Sequence, residues 1–143
     1  MNPATTRTLK RPNLALVKSK DTRPEILVRR RLHQLGFRFR LHQRIGNTRP
    51  DIVLRRWKCC IFVHGCYWHR HKDCRLSYTP KSNTEFWQNK FDTNVVRDQR
   101  NLEELHSLGW HVGVIWECAT RDGLIQIAKF NEIQSRVPLW YLP

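Results

Sequence analysis

The sequence predicts an α/β domain in which helices flank a central mixed β-sheet. Three observations carry the prediction. Cys59–His64 is an almost purely apolar run, the pattern of a strand covered on both faces. Thr84–Leu108 repeats its large apolar residues at helical spacing. Strand-like and helix-like segments then alternate toward the C-terminus. At 143 residues the chain is long enough to bury about two-thirds of its unfolded surface, and no internal repeat or linker divides it. One domain over residues 21–143 is expected, preceded by a flexible basic arm over residues 1–20 that lacks periodicity.

In Asp21-Thr22-Arg23-Pro24-Glu25, Thr22 can cap a helix, Pro24 suits its first turn, and Glu25 meets the positive end of the helix dipole. Ile26, Leu27, Val28, Leu32 and Leu35 form the apolar stripe, and Gly36 ends the helix. Phe37-Arg38-Phe39-Arg40-Leu41 alternates apolar and basic residues, as a half-buried strand does. Asp51–Leu54 and Cys59–His64 read as strands joined by the polar turn Arg55–Lys58. Residues 65–82 carry no repeat pattern and form a long loop that needs something to fix it. The helix from Thr84 turns Trp87, Phe91, Val95, Leu102 and Leu105 inward, with Asn83 or Thr84 as cap and Gly109 as stop. Trp110–Trp116 is a strand with Val112, Val114 and Trp116 on one face. A last helix is expected from about Leu124 to Ile133, followed by an extended aromatic tail, Pro138–Pro143.

The formal net charge is +14. It is concentrated at the front: residues 1–50 hold 13 Lys/Arg against Asp21 and Glu25, whereas residues 51–143 hold 13 basic against 10 acidic residues. Such a field fits a polyanion. Membrane attachment would need an apolar anchor, and the chain has neither a spanning apolar run nor an ordered signal sequence. Five cysteines, four of them between Cys59 and Cys74, argue against a disulfide framework and for a reducing compartment with a metal site.

Cys66, His71 and Cys74 have the short spacing that lets one loop wrap a tetrahedral ion, and Cys118, just past a strand, is the best fourth ligand. Thiolates favour zinc over magnesium, so a structural zinc site is expected; reduced thiols packed as small hydrophobes are the alternative. Cys59 and Cys60 lie in the apolar run and read as core. Asp51 opens one strand and His64 closes the next. A hard divalent cation needs oxygen ligands, which Asp51 and the Val63 backbone carbonyl can supply. His69 can deprotonate water, and His64 can donate near a phosphate or simply be a strand-end residue. Glu25 is a further possible contributor.

These residues belong to a longer series of ordered motifs. It runs through Lys20-Asp21-Thr22-Arg23-Pro24-Glu25, Arg49-Pro50-Asp51, Ile61-Phe62-Val63-His64-Gly65-Cys66-Tyr67-Trp68-His69, Phe86-Trp87 with Lys90 and Asn94, Arg97-Asp98, Gly109-Trp110 and Trp116-Glu117-Cys118. Over about residues 18–120 the chain resembles the very short patch repair (Vsr) DNA mismatch endonucleases. The resemblance implies a restriction-endonuclease-like core and nicking 5′ to the thymine of a T·G mismatch left by 5-methylcytosine deamination. It implies Asp51 as the Mg2+-binding aspartate, with the Val63 carbonyl beside it. It makes His69 the base, His64 a second active-site histidine and Glu25 a supporting acid. Cys66, His71, Cys74 and Cys118 match the structural Zn2+ ligands. Tyr67, Trp68 and Trp87 match the aromatic wedge in the base stack. Val63 and Tyr67 stand where threonine and phenylalanine are common, one extra residue precedes Cys74, and residues 1–20 match poorly.

Lys18, Lys20, Arg38, Arg40 and Arg49 are the expected phosphate contacts, giving affinity and salt dependence rather than sequence readout. The resemblance also implies a monomer acting on mismatched duplex DNA in the bacterial cytoplasm, at the nucleoid. Association with a MutL-type repair protein and a cytosine-C5 methyltransferase is implied as well. Alternatives are a mismatch-binding protein without turnover, a nuclease with broader mismatch or context tolerance, and a zinc module for protein contact.

Overall fold

The computed structural model describes residues 20–121 and 131–143. Its elements are α1 (Arg23–Gln34), β1 (Arg40–Leu41), β2 (Ile52–Leu54), β3 (Cys59–His64), α2 (Thr84–Ser107), β4 (His111–Trp116), α3 (Asn131–Gln134) and β5 (Leu139–Leu142). The strands form one mixed sheet in the order β1-β2-β3-β4-β5. The first two pairings are antiparallel and the last two parallel.

Period-two alternation divides the strand residues between two cores. Ile52, Leu54, Cys59, Ile61 and Ile115 face one way and pack with Val28 and Leu32 of α1. Val53, Cys60, Phe62, Val112 and Val114 face the other way and pack with Leu105 of α2. β3 is apolar throughout because it is central and covered on both faces. The register brings chain ends to one place. Ile52 pairs with both Leu41 and Ile61, so the end of β1, the start of β2 and the end of β3 meet at one edge. His64 pairs with Trp116, which adds the end of β4 to that edge.

Both long helices are where the sequence puts them, with sharper ends. Thr22 closes a capping box with Glu25. Gly36 (φ +89°) and Gly109 (φ +83°) take the left-handed turns that follow α1 and α2. Asn83 is the cap of α2, but its own left-handed backbone keeps its side chain from bonding the helix.

Two details differ from the sequence expectation, and two more refine it or fall partly outside the described residues. The segment Phe37–Leu41 pairs only at Arg40–Leu41, because Phe37 instead bonds back to the Leu32 carbonyl and turns its ring into the core. On α2, Val95 is exposed and Asn94 is buried in its place. The inward line runs through Phe91, Asn94 and Asp98, and its polar members have partners in the loop. The C-terminal tail is a sheet strand, and Trp140 lies across Gly113, where a Cβ would collide with its ring. Of the expected last helix, Asn131–Gln134 is helical, while residues 124–130 fall outside the described residues. The expected basic arm also lies outside them except for Lys20.

Candidate active site and metal centre

At the shared strand edge, the Val63 N–H donates to Asp51 Oδ2 at 2.7 Å. Burial pushes the Asp51 carboxyl up to about 6; the Val63 N–H pulls it down, the neighbouring Glu25 carboxylate pushes it up, and His42 and His69 pull it down. Glu25 is only 3 % exposed. Its Oε2 is held by the Thr22 hydroxyl at 2.8 Å, so the residue that caps α1 also carries an acid into the site. Its Oε1 faces Arg29 at 3.4 Å. His42 adopts a left-handed backbone (φ 51°), and its N–H donates to the Asp51 carbonyl at 3.2 Å. One ligand atom each from Glu25, His42 and Asp51 lie within 4.8 Å of one another. Two hard carboxylates, Glu25 buried and Asp51 partly buried, suit a divalent cation, which would also remove the cost of ionising Asp51 beside Glu25.

A second group sits next to it. His69 Nδ1 is 2.6 Å from Asp98 Oδ2. The carboxylate can only accept, so Nδ1 carries a proton, which leaves Nε2 as the nitrogen that can take up another. The His64 ring lies parallel to that of His69, with centroids 4.0 Å apart. Burial, followed by the charge of His69, pushes His64 down to about 3, so it is neutral at physiological pH. The loop holding His69 is fixed from α2 by Asn94, whose Nδ2 donates to the Trp68 carbonyl at 3.0 Å.

The third group fixes the rest of the loop. Cys66, His71, Cys74 and Cys118 offer ligand atoms all within 4.8 Å of one another. His71 Nδ1 is 3.6 Å from Cys66 Sγ and 3.5 Å from Cys118 Sγ. A tetrahedral ion with Zn–S and Zn–N bonds of about 2.3 and 2.0 Å sets S and N about 3.5 Å apart. The donor set therefore fits such an ion. Burial pushes the Cys66 thiol up to about 12 and raises Cys118, so without a cation these thiols stay protonated. Arg70 clamps the other side of the loop by donating to the carbonyls of Tyr67, Ser77 and Tyr78.

Tyr67, Trp87 and Phe91 form a buried aromatic cluster with Trp68 half-buried against it. Phe86 and Tyr78 are its exposed rim. Neither Tyr67 Oη nor Trp87 Nε1 has a hydrogen-bond partner among the described residues. Lys20, Arg38, Arg40 and Arg49 are exposed, and Lys18 lies outside the described residues.

The structure thus brings Asp51, Val63, Glu25, His64 and His69 to one edge, and the four zinc-type ligands to one point beside it. Sequence reasoning gave no role to His42, Arg29 or Asp98. Asp98 had a readable signal, since it falls with Asn94 on the buried line of an amphipathic helix, where a polar residue needs a partner. His42 had none, because only strand register carries it to Asp51.

Comparison with known proteins fits this geometry. The family model described as DNA mismatch endonuclease Vsr matches residues 4–76. The type II nicking enzyme V.XorIIP of Xanthomonas oryzae pv. oryzae is 46% identical over 106 residues, 74% of this chain and 77% of that protein. The DNA mismatch endonuclease Vsr of Escherichia coli is 40% identical over 109 residues, 76% of this chain and 69% of that protein. Among solved structures, the catalytic domain of the homing endonuclease I-Bth0305I shares the fold with a TM-score of 0.56 at 23% identity, covering 80% of this chain and 96% of that one. No helix among the described residues is long and apolar enough to cross a membrane.

Proposed function

The chain belongs to the DNA mismatch endonuclease Vsr family, and from that premise we propose that it nicks duplex DNA 5′ to the thymine of a T·G mismatch, in a magnesium-dependent reaction. The observation that carries this reading is the placement of a proton-accepting histidine, His69 held by Asp98, beside the carboxylate pair Asp51 and Glu25.

Asp51 and the Val63 carbonyl would hold the magnesium ion, with Glu25 as the supporting acid. When bound, the ion neutralises phosphate charge and polarises the scissile bond. His69 takes a proton from water through Nε2 while Asp98 stabilises the imidazolium that forms. Water attacks phosphorus as the 3′ oxygen leaves and takes a proton from solvent, giving a 3′-hydroxyl and a 5′-phosphate. His64, neutral and stacked on His69, limits the charge next to the base and offers a hydrogen bond toward the phosphate.

Zinc on Cys66, His71, Cys74 and Cys118 is the scaffold ion. Tyr67, Trp68 and Trp87 meet the unstacked step at the mismatch. Tyr67 Oη and Trp87 Nε1, without partners among the described residues, each cost about 1–3 kcal/mol when buried, which favours their rearrangement on DNA. A mismatch costs less to unstack than a paired step, so the wedge selects it. Lys18, Lys20, Arg38, Arg40 and Arg49 contact phosphates. A monomer in the cytoplasm, working with a MutL-type protein and a cytosine-C5 methyltransferase, completes the reading.

The test is strand-resolved nicking of matched and T·G duplexes with and without magnesium, using wild type, Asp51→Asn and His69→Ala. Selective cleavage by wild type alone is expected. Equal cleavage of matched duplex would replace mismatch specificity with broad nuclease activity. Tight mismatch binding without any nick would leave a non-catalytic binder.

A further inference from the structure

We propose that Arg29 is the resident counter-cation of the magnesium position, a positioning residue that acts through Glu25 and sets how tightly a divalent ion is held there. The proposal rests on the reading of Asp51 and Glu25 as the magnesium-binding acids.

Three side chains converge on one nitrogen. Arg29 Nη2 lies 2.8 Å from Asp21 Oδ1, 3.4 Å from Glu25 Oε1 and 3.2 Å from His42 Nε2. Glu25 and His42 belong to the trio whose ligand atoms, with one from Asp51, lie within 4.8 Å of one another. One guanidinium nitrogen therefore touches two of the three residues around the cation position. Helical spacing brings it there, because Arg29 follows Glu25 by one turn of α1. The contact is sheltered. The Arg29 side chain is 15% exposed and that of Glu25 only 4%. Arg29 Nε is buried with no hydrogen-bond partner among the described residues. Water and salt weaken an exposed ion pair far more than a buried one.

At Glu25, geometry and charge have separate sources. Its Oε2 is fixed by Thr22, whose hydroxyl donates at 2.8 Å and whose N–H donates at 3.2 Å. Glu25 keeps its place without Arg29, so the main contribution of Arg29 is its charge. A guanidinium is a fixed positive charge. His42 is charged only when protonated and is left aside. With Asp21, Glu25 and Asp51 ionised, three carboxylates then face one guanidinium. The two negative charges left over match one divalent cation. Arg29 is thus the counter-charge of Glu25 before an ion binds, and it repels the ion afterwards. Removing its charge leaves the group more negative by one, and a divalent ion binds more tightly.

The test is titration of Mn2+ into the full chain, with its cysteine site zinc-filled and no DNA present, reading free Mn2+ by electron paramagnetic resonance. Mn2+ serves as the probe because it shares magnesium's preference for oxygen ligands. Arg29→Met and Arg29→Gln should each lower the dissociation constant by about threefold to tenfold. Arg29→Lys keeps the charge and should stay within about twofold of wild type. The magnesium concentration that half-saturates nicking should fall in the two neutral variants in the same order. Unchanged or weaker Mn2+ binding by both neutral variants would overturn the proposal, and so would an Arg29→Lys protein that behaves like them. Either result would leave Arg29 as a structural partner of Asp21 and Glu25. An Asp51→Asn protein that binds Mn2+ as wild type does would instead overturn the reading of Asp51 as a magnesium ligand, and the proposal with it.

Discussion

The His69–Asp98 contact does for this site what no single residue can: it fixes which ring nitrogen holds the proton. Asp98→Asn keeps the shape but permits the other tautomer. Nicking under saturating magnesium should fall by about 10²–10⁴-fold with an unchanged circular dichroism spectrum; a loss below threefold would mean that Asp98 only packs the loop. His64 gives a pH prediction. Its folded pKa, about 3, lies below the ordinary value of 6.5. A depressed pKa contributes stability that is present above the unfolded pKa and lost as pH falls toward the folded one. Stability should therefore decline below about pH 6.5, by at most about 1.4 kcal/mol per pH unit. His64→Gln should flatten that slope in urea titrations between pH 6.5 and 4.5; parallel slopes in the two proteins would refute it.

Among the elements, α1 and the loop after β3 each have a structural task that also sets the site. Thr22 caps α1 and grips Glu25 with the same hydroxyl. Thr22→Ala should cost about 1 kcal/mol of stability and also lower nicking, because Glu25 loses its anchor. A stability loss with full activity would separate the two roles. The loop 65–83 has no helix or strand, and its fixed points are the Cys/His group, Arg70 and Asn94. Cys118→Ser should lower zinc content by metal analysis and open the loop to limited proteolysis. Retention of zinc with a protected loop would show that the fourth ligand is dispensable. The loop was legible as a loop, since residues 65–82 show no periodicity. The Asn94 and Asp98 contacts were not, because helical spacing gives a residue's direction but not what stands opposite it.

For the whole molecule, the front-loaded charge is the controlling quantity. Arg38, Arg40 and Arg49 lie outside the core and face solvent. Replacing all three with Gln should reduce the slope of log K against log salt by about 2–3 and weaken matched and T·G duplexes alike. A selective loss on T·G would instead place one of them on the bases. The sheet is what unites the site. Chain segments starting at Glu25 and ending at Cys118 meet because β2 runs against β3 and β4 runs with it. A one-residue slip of β2 would turn Asp51 away from Val63 and send Ile52, Val53 and Leu54 each to the opposite core.

By itself, the sequence determined the α/β class, both long helices and the capping residue of the first, the buried central strand, the metal-type spacing and the resemblance that implies the chemistry. These are local or compositional properties, written in periodicity, capping residues and motif spacing. Only the tertiary structure decided that Asp98 holds His69, that His42 and Arg29 stand at Glu25, that Val95 is outside and Asn94 inside, and that the aromatic tail is a fifth strand over Gly113. Each of those joins residues far apart in the chain or depends on which neighbour a face meets. Strand register and packing set such contacts, and neither is encoded by a residue and its near neighbours alone.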